Sequence, residues 1–131
     1  MLTITAFYAS ILAFIYMKLS LNIISLRRKY KISLGFGKHK DLEQAIRAHA
    51  NFNETVPIGL ILLVCLEVNK IHFLIVLILG GLLILGRYFH AKAFLKDTID
   101  LDGRVLGIKC TFWSIRLMAA MNIFAIIVKL I

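Results

Sequence analysis

The apolar positions of this chain fall into four long runs, and none alternates with a period of two. Ile4 to Leu26 is broken only by Lys18 and a few small polar side chains. Leu42 to Val68 is polar in its first half and strongly apolar from Val56 to Leu66. Phe73 to Gly86 is uninterrupted and continues, with charges entering, to about Lys96, and Val105 to Ile131 closes the chain. A spanning helix needs about 20 residues, whereas strands of a membrane barrel read as alternating segments of about 10. The runs predict an all-α integral membrane four-helix bundle, a single domain over residues 1–131 with spans at about 4–26, 42–68, 72–96 and 105–130.

Composition sharpens this picture. The 131 residues are 60% apolar and only 18% charged. A soluble domain is about 25% charged, and a short one needs polar cover for its high surface-to-volume ratio. One proline and eight glycines exclude a low-complexity chain. Residues 1–20 hold an apolar core with no basic residue ahead of it, so an uncleaved span is expected, not a signal peptide. Cys65 and Cys110 form no CxxC and are read as small buried or lipid-facing groups; no metal site is expected.

The charges sit at the joins. Sixteen basic residues stand against seven acidic ones, and Arg27, Arg28, Lys29, Lys31, Lys38 and Lys40 crowd the first join. The positive-inside rule places that join in the cytoplasm. The third join, from Lys96 to Arg104 with Asp97, Asp100 and Asp102, then lies on the same side. The second join and both termini fall on the other. Anionic lipid beside a span explains the basic loop, so nucleic acid is not an expected partner and membrane lipids are. Lys18 is read as a snorkelling side chain.

Polar groups inside the second span are costly and need an explanation. At about 100° per residue, Arg47, Asn51 and Glu54 fall within about 60° of one another, while His49 and Asn53 share a different face. Two polar faces on one helix exceed what a single partner helix easily satisfies, which favours an oligomer. Pro57 lacks an N–H and predicts a loosened turn beside the cluster. Arg87, Tyr88, His90, Lys92 and Lys96 interrupt the third span, and Arg104 opens the fourth. One reading is a structural network in which Arg47 and Glu54 neutralise each other. The other is a pocket for a peptide-like anion, with guanidinium forks on carboxylates and the glutamate on an amine. Gly80, Gly81 and Gly86 give the third span a thin surface suited to close packing.

The run Arg47-Ala48-His49-Ala50-Asn51, followed by Glu54 and Pro57, resembles the second-helix signature of the MAPEG family, the membrane-associated proteins in eicosanoid and glutathione metabolism. Gly86, Arg87 and His90 extend the resemblance into the third span, and Arg104 with Gly107 is most similar to the small bacterial members. The resemblance implies a homotrimer in the cell inner membrane, with cytoplasm-facing pockets between subunits that bind glutathione as cosubstrate. It assigns Arg47, His49, Asn51, Glu54 and Arg87 to glutathione binding and Arg104 to stabilising its thiolate. Arg27 or Arg28 stands for a first-loop arginine of the family. Thr55 and Phe94 depart from the family's pattern, which often has tyrosine at both places.

The function expected is a glutathione-dependent transferase or peroxidase acting on a lipophilic electrophile or hydroperoxide. Two alternatives stand beside it. One is a non-catalytic membrane protein holding a lipid or thiol ligand on the same scaffold. The other is a small multidrug-type transporter using a membrane-embedded glutamate.

Overall fold

The structure, a computed structural model, describes residues 2–96 and 100–131. Four helices follow one another: α1 (Thr3–Tyr30), α2 (Lys40–Val68), α3 (Phe73–Phe94) and α4 (Leu101–Leu130). Each is long and apolar enough to cross a membrane. At about 1.5 Å per residue α1 is about 42 Å long and α3 about 33 Å, against a hydrocarbon core of about 30 Å. The longer helices therefore overrun the apolar layer.

The ends differ from the sequence expectation for local reasons. α1 runs past residue 26 to Tyr30 and stops where Lys31 turns left-handed at φ 54°. Gly35 and Gly37, at φ 71° and 58°, carry the chain round the first join. The Tyr30 and His39 rings stack across that join at 3.7 Å. α4 begins ahead of residue 105 because Asp100 caps it, accepting from the Gly103 N–H at 2.9 Å. Acidic residues that look like loop are well suited to a helix start. Asp97, placed in the third join by the sequence, lies outside the described residues.

α2 and α3 each pack against all three other helices, whereas α1 and α4 do not meet among the described residues. One buried cluster, including Leu12, Leu19, Phe52, Leu83 and Phe94, lies toward the basic joins. A second, including Leu63, Leu66, Val76 and Met118, lies toward the opposite end. The glycines of α3 do different jobs. Gly86 meets α4 backbone to backbone: a Cβ on Gly107 would stand 2.6 Å from His90 N and 2.7 Å from Gly86 O. Gly80 receives the Tyr8 ring of α1, whose hydroxyl donates to Leu77 O at 2.6 Å. Gly81 makes only an ordinary contact with that hydroxyl.

Polar groups at the end away from the basic joins are tied into the bundle. Glu67 of α2 accepts from the N–H groups of Ile4 and Thr5 at 3.1 and 2.7 Å, capping α1 from another helix. Asn122 donates to Leu62 O, Asn69 donates to Asn122, and Lys129 donates to Asn69.

Candidate functional site

α2 stays helical through the polar cluster and through Pro57. The Asn51 side chain donates to Arg47 O and the Thr55 hydroxyl to Asn51 O, each at 2.8 Å. Because Pro57 has no N–H, the Asn53 carbonyl loses its usual donor within the helix. Arg47 and Glu54 are exposed and Asn51 is half-buried. Among the described residues the ion pairs are Lys29–Asp41 and Lys96–Asp100, so Arg47 and Glu54 do not neutralise each other.

α3 meets this stripe through Arg87, which is only 2% exposed and donates from Nη1 to Thr55 Oγ1 at 2.8 Å. Glu54 adjoins Thr55 on α2 and is exposed. One turn along, His90 is 1% exposed. His90 Nδ1 and Arg87 Nε have no hydrogen-bond partner among the described residues. The His90 and Phe94 rings are 5.3 Å apart, and the Arg104 guanidinium from the first turn of α4 lies 4.7 Å from the Phe94 centroid. Phe94 also closes a cavity of about 260 Å³ lined by Lys40, Glu43, Gln44 and Arg47.

The structure thus brings Arg47, Arg87 and Arg104 around the Phe94–His90 edge of α3, with Asn51 and Glu54 alongside. Thr55 and Phe94, which depart from the family pattern, are the side chains that Arg87 and Arg104 rest on. The sequence marks both only as departures from tyrosine and does not show this role. Phe94 lies two helical turns beyond Arg87, on the same face, and that spacing was the available signal.

His49 is not part of this group. Its Nε2 is 2.9 Å from Ser20 Oγ, its Nδ1 is 3.3 Å from Asn53 Nδ2, and its ring lies 5.0 Å from Tyr16. His49, on the second polar face of α2, is therefore met within the chain by α1. Arg27 donates to Ser33 O at 3.0 Å and secures the first join, while Arg28 is exposed. Tyr88 and Lys92 point away from Arg87, into a larger cavity of about 1100 Å³ between α1, α2 and α3 that the sequence did not reveal.

Comparison with known proteins identifies the family. A family profile described as "MAPEG family" matches residues 5–124. The inner membrane protein YecN of Escherichia coli K12 is 31% identical over 121 residues, 92% of this chain and 91% of the relative. The protein of the same name from the O6:H1 strain matches with the same identity and coverage. Four spanning helices, the Arg47–Pro57 signature and a match along nearly the whole chain agree: this multi-pass membrane protein belongs to the MAPEG family.

Proposed function

We propose that the protein is a glutathione-dependent transferase or peroxidase acting on a small lipophilic electrophile or hydroperoxide. It works as a homotrimer in the cell inner membrane, with the first and third joins in the cytoplasm. The observation that carries this reading is the gathering of Arg47, Arg87 and Arg104 around Phe94 and His90, with Glu54 exposed beside them. The cavity of about 260 Å³ is smaller than the roughly 300–1,000 Å³ usual for small-molecule sites, which supports a pocket completed by a neighbouring copy.

In this reading the guanidinium of Arg47 takes a glutathione carboxylate, Glu54 takes the amine and Asn51 donates its amide. Arg87, fixed by Thr55, adds positive charge behind them. His49 sits on the other face of α2, so it reaches glutathione only in a neighbour's pocket. Arg104 places its charge beside the thiol and favours the thiolate, each pKa unit corresponding to roughly 1.4 kcal/mol. The thiolate sulfur attacks an electrophilic carbon, forming a C–S bond while the leaving atom takes the electron pair and a proton. With a hydroperoxide the sulfur takes the distal oxygen and the alcohol departs. A second glutathione then reduces the oxidised sulfur, giving disulfide and water.

A second reading, binding without turnover, draws on Thr55 being committed to Arg87 and on Phe94 offering no hydroxyl. Titrating thiolate absorbance in lipid separates the two. The wild type is expected to form glutathione thiolate near neutral pH, and Arg104→Ala to bind glutathione without forming it. Binding without thiolate in the wild type selects the second reading, and no binding at all sinks both.

A further inference from the structure

We propose that the crevice between α1, α2 and α3 holds an anionic phospholipid, its phosphate between Lys18 and Lys92 and an acyl chain against Ile15 and Leu19. α1 and α3 are held together where the Tyr8 ring lies on Gly80. Toward the basic joins they enclose a cavity of about 1100 Å³, at the upper limit of the roughly 300–1,000 Å³ that small ligands use. On α3 the crevice is lined by Tyr88 and Lys92, the face turned away from Arg87, His90 and Phe94; on α2 it shares Lys40 and Gln44 with the smaller cavity.

The charge in the crevice is one-sided. Of its four lysines, Lys96 is engaged by Asp100. The one carboxylate lining it, Asp41, accepts from Tyr30 and lies 4.0 Å from Lys29. Among the described residues Lys18, Lys40 and Lys92 have no carboxylate within 4.0 Å. A crevice lined by lysines without carboxylate partners carries net positive charge, which favours an anion within it. Lys18 selects the kind of anion. It lies about 18 Å along α1 from Tyr30, beside apolar Ile15 and Leu19. A soluble anion has no use for such a wall, whereas a lipid phosphate meets a lysine that snorkels toward the headgroup layer while its chain follows the apolar residues beside it.

The test is native mass spectrometry of the intact oligomer, incubated in detergent with phosphatidylglycerol or phosphatidylcholine. The wild type is expected to retain phosphatidylglycerol about tenfold better. K18Q/K92Q is expected to lose that preference, K18R/K92R to keep it, and K31Q/K38Q, which removes equal charge from the first join, to keep it too. Circular dichroism checks folding, and single K92Q provides the reading if the double variant fails to fold. Undiminished preference in both K18Q/K92Q and K92Q, or an equal loss in K31Q/K38Q, overturns the proposal. Displacement of the lipid by inorganic phosphate overturns it in favour of a free anion. Dissociation of the oligomer in K18Q/K92Q overturns it in favour of a subunit contact.

Discussion

At the end of the bundle away from the basic joins, the carboxylate of Glu67 is spent on the first turn of α1, and Asn69, Asn122 and Lys129 bond one another. At the basic end, Arg47 and Glu54 stand exposed on one helix without pairing, and buried Arg87 and His90 each keep a ring or guanidinium nitrogen without a partner among the described residues. The two ends have similar residue types. They differ in whether the charged groups are consumed by the fold; among uncharged groups, the buried Thr5 hydroxyl at the far end also has no partner among the described residues. Inside a membrane an unconsumed charged group is expensive, so the end that keeps such groups is where a ligand has most to offer.

The strongest way to break this contrast is Glu67→Ala. It removes two charge-assisted hydrogen bonds from a helix N-terminus and should cost about 2–3 kcal/mol of stability, read by unfolding in detergent, with glutathione affinity unchanged. Arg47→Ala and Glu54→Gln should behave in the opposite way. Calorimetry is expected to show about tenfold weaker glutathione binding, or about 1.4 kcal/mol, at an unchanged melting temperature. If Glu54→Gln melts as early as Glu67→Ala, the two ends are alike after all.

A smaller effect tests the departures from the family pattern. Phe94→Tyr puts a hydroxyl beneath Arg104 and should raise kcat/KM by about threefold, a gain within the range of one hydrogen bond. The smallest effect is in acid, at the third join. The hydrogen bond from Lys96, with that from the Gly103 N–H, holds the Asp100 carboxyl below its ordinary value of 3.8. Its contribution to stability is complete above that ordinary value and is lost as pH falls through the lower folded one. Asp100→Asn should therefore flatten the acid limb of a melting-temperature profile slightly, since this carboxylate faces water.

Much of this was legible in the sequence because it is periodic. Four apolar runs mark four helices, and the spacing of Arg47, Asn51 and Glu54 puts them on one face. What was hidden depends on distant partners. Glu67 reads as an ordinary acid near a helix end, and only the fold brings it to Ile4 and Thr5, more than sixty positions away. Lys18 reads as a lone snorkelling lysine until α3 sets Lys92 across the crevice. His49 and Ser20, which satisfy each other, carry no mark of it in their own segments.

The contact between Gly86 and Gly107 has an evolutionary consequence. Two residues without side chains bring the main chains of α3 and α4 together, with the Thr111 hydroxyl and the His90 Cβ packed beside them, within a turn of Arg87 and Arg104. Substitutions among the lipid-facing leucines, isoleucines and phenylalanines can then accumulate without moving one arginine relative to the other. Drift of the apolar outer surface is thereby uncoupled from the placement of the two arginines.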